Sequence, residues 1–213
     1  MTRTVPFAAA MAATVLFVFQ PAQAANLISA NVTGVAATGT IGTLRAGSPW
    51  APASAPTALT SVADDAFVPE GQLWTQGSVW WDDDPSVNAL PVSLTIQLGG
   101  PVSFDRFVVQ ADDNDSYLLE YWDGGAWQTA WAIDFKPSFG LVTRDSGVLG
   151  STITTDALRF SATAGDNYYA VSEIQGFLTA VPEPTSWAMM MAGIAAVGFQ
   201  MRRARRPRAA RLA

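Results

Sequence analysis

The chain has 213 residues, 49% of them hydrophobic, with 12 basic against 18 acidic side chains and a net charge of −6, room for one domain of ordinary size plus terminal extras. It contains no cysteine and no histidine, which excludes disulfides, thiol nucleophiles, imidazole general bases and Cys/His zinc sites. Between Ala25 and Ala180 five basic residues (Arg45, Arg106, Lys136, Arg144 and Arg159) face 17 acidic ones, about −12, and a body so charged repels nucleic acid.

The opening MTRTVPFAAAMAATVLFVFQPAQA has Arg3 in a short polar start, an apolar run from Val5 to Phe19 and a small-x-small site at Ala22-Gln23-Ala24. That is the pattern of a secretory signal peptide over 1–24. A retained anchor is the alternative, against which stand the shortness of the run and the closing Pro21. Residues 25–59 read as a strand and loop leader: Leu27, Ile28 and Val32 point to a first strand, and GSPWAPASAPTA is loop-like.

From 60 to 180 the signal is β. PVSLTIQLG sets Val92, Leu94, Ile96 and Leu98 on one face and Ser93, Thr95 and Gln97 on the other. Gly99-Gly100-Pro101 reads as a turn into FDRFVVQA, and SYLLEYW follows an acidic loop. Asp123-Gly124-Gly125 turns the chain into AWQTAWAI. DALRFSAT, with Leu158 and Phe160 on one face, and AVSEIQGFL close the set. Recurrent short strands without a long helical period predict an all-β, antiparallel β-sandwich.

The tail over 181–213 is different. Trp187 to Met201 is 15 residues without a charge, rising about 22 Å as a helix against a hydrocarbon core of about 30 Å. Flanking Thr185 and Ser186, an interfacial Trp187 and snorkelling arginines make a short transmembrane helix feasible. Arg202, Arg203, Arg205 and Arg206, with Arg208 and Arg211, then form a stop that stays cytoplasmic. Pro182-Glu183-Pro184, the apolar segment and the terminal arginines together resemble the PEP-CTERM sorting signal of exported bacterial proteins. The resemblance implies recognition by the membrane protease exosortase, a cell-membrane stage before processing, and a Gram-negative envelope or extracellular matrix rich in polysaccharide. The prolines keep the motif extended, the form that a protease cleft accepts.

The body resembles galactose-binding-like jelly rolls of the discoidin type in VADDAFVPEGQLWTQGSVWW, VSLTIQLGGPVSFDRFVVQADDNDSYLLEYWDGGAWQTAW and TTDALRFSATAGDNYYAVSEIQGF. One departure is that the usual opening Asp-Gly reads Asp64-Asp65, which puts a tight positive-φ turn there in doubt. The resemblance implies a structural Ca²⁺ held by Glu173 with Asp64 or Asp65, beside the reading of Glu173 as a plain surface carboxylate.

Three further groups are candidates for chemistry. Asp112, Asp113, Asn114 and Asp115 form an oxygen-rich loop, suited to an ion or to sugar hydroxyls but lacking EF-hand spacing; a solvated turn explains them equally. Asp166 and Asn167 echo the loop and are candidates to share its end of the sandwich. Trp74, Trp80, Trp81, Trp122, Trp127 and Trp131, with Tyr168 and Tyr169, are either sugar platforms or core. Trp80 and Trp81 point to opposite faces, so one of them is expected to be less buried. Asp82, Asp83 and Asp84 are the residues left for a glycosidase-type carboxylate pair, although three aspartates before Pro85 read as a loop. The leading expectation is a non-enzymatic exported protein that binds carbohydrate; a purely structural matrix protein and a glycosidase are the alternatives.

Overall fold

A computed structural model describes residues 24–47, 54–84, 86, 90–179 and 184–204, the backbone alone for 184–188 and 203–204. Residues 1–23 of the expected signal peptide and the positions of Pro182, Glu183, Arg205 and Arg206 lie outside the described residues, as do the side chains of Pro184 and Arg203. The described strands are β1 (Val32–Thr38), β2 (Val79–Asp82), β3 (Ser93–Phe104), β4 (Arg106–Asp112), β5 (Ser116–Trp122), β6 (Trp127–Ile133), β7 (Leu141–Asp145), β8 (Ile153–Ala164) and β9 (Tyr168–Phe177). Two antiparallel sheets result, one in the order β1-β3-β8-β5-β6 and one in the order β2-β9-β4-β7.

The two-residue period of β3 does what it predicts: Val92, Leu94, Ile96 and Leu98 are buried, facing Leu158 and Phe160 of β8 and Leu119 of β5 in one core. Trp81, Phe107, Val109, Val171 and Ile174 of the other sheet join that core from the opposite side, which makes the body a sandwich. Rings interlock within it. Tyr117 stacks on Phe160 with centroids 5.0 Å apart, and Phe104 lies 5.3 Å from Phe107.

Four local expectations are corrected. Leu27–Asn31 is a short helix, α1, capped by the Asn26 side chain, which accepts from Ile28 N–H; the strand begins only at Val32. This leader is part of the sandwich, because Ile28 is fully buried and β1 pairs with β3 as an edge strand. Gly99-Gly100-Pro101 makes no turn: β3 runs through it, and the pairing with β8 shifts register between Gln97 and Val102, a bulge that the two glycines tolerate. Asp65 occupies the left-handed region at φ 71°, so the tight turn forms without glycine.

The fourth correction concerns the tryptophan pair. Trp80 and Trp81 do point to opposite faces, yet they are 2% and 0% exposed. The outer face of the four-stranded sheet is roofed by Trp74, with Leu44, Val68 and Leu73, so Trp80 enters a second apolar cluster with Leu141 of β7 instead of meeting solvent. Trp74 crosses it edge-on with centroids 5.8 Å apart.

The tail forms α2 (Pro184–Ala204), exposing Met189, Met191, Ile194, Val197 and Phe199. No helix among the described residues is long and apolar enough to cross a membrane. Its alanines, glycines and Gln200 dilute the apolar content, so the expected transmembrane helix is not supported on this measure.

Candidate functional site

The acidic loop joining β4 to β5 turns its main chain to a cation already in the protein. Arg144 of β7 is 7% exposed, and its Nη2 donates to the carbonyls of Asp112 at 2.5 Å and Asp113 at 3.1 Å. Its Nε and Nη1 are buried and find no hydrogen-bond partner among the described residues, and its guanidinium sits 5.7 Å from the centre of the Tyr117 ring. The carboxylates point elsewhere. Asp115 accepts from the Tyr117 hydroxyl at 3.1 Å and from Asp166 N–H at 3.3 Å, while Asp112 accepts from Asp113 N–H.

Burial drives the electrostatics of that loop. Desolvation, helped by neighbouring acids, pushes the Asp112 carboxyl up to about 7 and that of Asp115 up to about 8, because the charged form loses its water. The β8–β9 loop does lie alongside: Asn114 Nδ2 donates to Asp166 Oδ2 at 3.0 Å, and Asn167 at φ 75° hands its carbonyl to Asp83 N–H. Asp113 accepts from Ser138 N–H. The loops therefore meet, but as a latch. Asp112 and Asp115 are buried and not presented to a ligand, and the same holds for Trp81, whose Nε1 donates to Asp83, and for Tyr168, which lies under Arg45 at 4.2 Å.

The triple aspartate serves the same scaffold. Asp82 and Asp84 lie 3.3 Å and 2.6 Å from Arg45, and Asp83 accepts from Val92 N–H and Trp81 Nε1. Asp82 and Asp84 bind Arg45 of the leader to the sheet while Asp83 holds Val92 and Trp81, and the loop reading fails at Asp82, which is the buried last residue of β2.

Glu173 is not a surface carboxylate. The register between β4 and β9 steps from Val171 to Glu173 against Ala111 and Gln110, leaving Ser172 as the extra residue of a bulge, and Glu173 is fully buried. Oε1 accepts from Asp65 N–H at 3.1 Å; among the described residues Oε2 has no hydrogen-bond partner. Desolvation, then the charge of Asp64, raises this carboxyl to about 8. The Asp65 side chain is taken by Asn26 Nδ2 and Gln175 Nε2 at 3.1 Å and 3.0 Å. Among the described residues no group of three or more carboxylates is spaced to hold a metal ion, so a cation here would draw on Glu173, Asp64 and main-chain carbonyls.

The open site lies at the other end of β5, about 20 Å away along the strand. Asp123 Oδ1 accepts from Gly125 N–H and Ala126 N–H, both at 2.8 Å, and Oδ2 from Gln128 Nε2 at 2.9 Å. With Gly124 at φ 97° this closes the hairpin and sets Trp122 opposite Trp127. Their rings meet at 62° with centroids 5.4 Å apart. The Thr155 hydroxyl lies 2.9 Å from the Trp122 carbonyl and 2.8 Å from that of Ala157, and accepts Ala157 N–H. This ties β8 beneath the tryptophans. The result is a groove of about 380 Å³ lined by Gln97, Trp122, Trp127, Asp156 and Ala157, within the size range of small-molecule sites. Beside it Arg159 spreads over the Trp127 ring at 4.6 Å and pairs through both nitrogens with Glu120 at 2.7 Å and 2.9 Å. Sequence reasoning had Trp122 and Trp127 among its aromatic candidates but missed Gln97 and Asp156; the hairpin spelling Trp-Asp-Gly-Gly-Ala-Trp was the available signal.

The family model of the PEP-CTERM protein-sorting motif matches residues 180–206, and the motif marks the chain as an exported protein. No curated protein matches it. Among solved structures the chain is similar to CpGH89CBM32-5 from Clostridium perfringens in complex with GalNAc-beta-1,3-galactose, with 19% identity, 72% of this chain and 100% of that one covered, and a TM-score of 0.43. It is also similar to the chitosan-binding module 1 derived from a chitosanase/glucanase of Paenibacillus sp. IK-5, at 14% identity, 72% and 99% coverage and a TM-score of 0.45. Against SpGH29 the identity is 17% and the TM-score 0.42, and the chain, 68% covered, spans 27% of the length of that protein.

Proposed function

We propose that this is a non-enzymatic, exosortase-processed protein of the cell envelope or extracellular matrix that binds polysaccharide through the Trp122–Trp127 groove. The observation that carries the reading is the pair of half-buried indoles standing beside an exposed amide and an exposed carboxylate. Indole faces stack on the apolar faces of pyranose rings, while Gln97 and Asp156 supply the acceptors and donors that hydroxyls need. Trp127→Ala and Trp122→Ala should each reduce retention on immobilised polysaccharide at least tenfold without changing the circular dichroism spectrum. Unchanged retention in both variants rules the groove out, and absence of retention by the wild type favours a structural matrix role.

Sorting rests on the tail. The exposed apolar side chains of α2, ending at Arg202, fit a segment that rests in the membrane until exosortase acts, with the arginines held on the cytoplasmic side. Substituting Glu183→Ala should leave the unprocessed, heavier form in the membrane fraction.

We further propose that Glu173 is a ligand of a structural Ca²⁺, on the strength of its unpartnered Oε2. Such an ion would take the place of the proton that burial favours on this carboxyl.

A further inference from the structure

The charge in and around the groove assigns a ligand class. Asp156 is exposed on β8, and its carboxylate makes no hydrogen bond or ion pair among the described residues. The adjacent cation does not compensate it, since Arg159 is consumed by its two-nitrogen pair with Glu120. The same arginine shows that the Trp127 ring attracts a positive group, lying 4.6 Å from it. An unpaired carboxylate beside two indoles, on a body of about −12, disfavours uronates and phosphorylated glycans. It favours a sugar that brings its own positive charge.

We propose that the groove prefers a polymer of protonated amino sugars, the ammonium group seated between the Asp156 carboxylate and the indole faces and the ring carbons stacked on Trp122. This inference rests on the groove being the carbohydrate site. An exposed ion pair combined with an exposed cation–π contact supplies roughly a tenfold preference over the same sugar with its amine acetylated. Both contacts are screened, so the preference shrinks as salt rises.

The test is isothermal titration of the full chain in detergent with a glucosamine hexamer, an N-acetylglucosamine hexamer and a galacturonic acid oligomer. The wild type is expected to bind the glucosamine hexamer about tenfold more tightly than the acetylated one, and the galacturonate most weakly. Asp156→Asn, an isosteric change at an exposed position, should cut the preference to the few-fold share that the indole contact alone supplies. Equal affinities in the wild type overturn the ligand class and leave the groove in place. A preference undiminished by Asp156→Asn, with binding still lost in Trp127→Ala, overturns the role of Asp156. If no oligomer binds the wild type, the groove reading and this inference fall together.

Discussion

Gly165 and Asp115 are packed so closely that a Cβ added to the glycine would lie 1.8 Å from Asp115 Oδ1. The bare backbone of the β8–β9 loop is what roofs the buried carboxyl, at φ 153°, a conformation that L side chains rarely adopt. Gly165→Ala should therefore destabilise the body by about 1–3 kcal/mol, the usual cost of forcing atoms into a filled interior, measured by denaturant unfolding. A loss below a few tenths of a kcal/mol would mean that Asp115 moves aside freely and that the loops are not latched.

The same latch sets a pH dependence. Asp112 and Asp115 hold their protons up to about 7 and about 8, far above the ordinary aspartate range of about 3.9. The folded chain thus binds more protons than the unfolded one between those limits, so stability falls as pH rises through them. The neighbours that oppose or assist are Asp113, Asp166 and Arg144. At the acid end Asp145 works the other way: its hydrogen bond from Arg106 holds its carboxyl below the usual value, and that contribution disappears as pH drops. Melting temperature should peak near pH 4 and decline from about pH 4 to about pH 8. Asp115→Asn should flatten the decline, and a curve that rises across this window contradicts the burial argument.

Strand positions were legible wherever one face is buried and the other wet, as in Val92 to Leu98, because a period of two survives in the text. β9 hides that period, since nine of its ten residues are buried, its second face being covered by Trp74, Val68 and Leu73 of the segment before β2, with Leu44, a contribution no local pattern announces. The acidic loop misled for a related reason. Its side chains look like ligands, but its carbonyls are spent on Arg144, 32 residues downstream of Asp112. The groove was half legible: a hairpin brings Trp122 and Trp127 together locally, whereas Gln97 and Asp156 arrive on β3 and β8, whose alignment depends on a register shift.

Asp123 offers a way to separate positioning from binding. Its carboxylate is exposed, is held below the usual range by the Ala126 and Gly125 main-chain donors, and touches no wall of the groove. Asp123→Ala should lower the affinity for polysaccharide several-fold through loss of hairpin order, while Asp123→Asn, which keeps an acceptor for the turn, recovers most of it. Near-ultraviolet circular dichroism of the paired indoles provides a readout independent of ligand. If Asp123→Ala leaves both the signal and the affinity intact, the turn does not hold the tryptophans.

Glu173 makes the last prediction, and its two outcomes describe two different proteins. If Ca²⁺ enters, it must displace the proton that burial keeps on the carboxyl, so millimolar Ca²⁺ should raise the melting temperature more in alkaline than in mildly acidic buffer. Saturation at a hundredfold the dissociation constant corresponds to about 2.7 kcal/mol. Glu173→Gln keeps the acceptor for Asp65 N–H and supplies an amide where Oε2 now lacks a partner. It should abolish the Ca²⁺ response while leaving the metal-free melting temperature unchanged or slightly higher. A wild type indifferent to Ca²⁺ at both pH values would instead remove the metal reading and leave Glu173 as a buried carboxyl that accepts from Asp65 N–H.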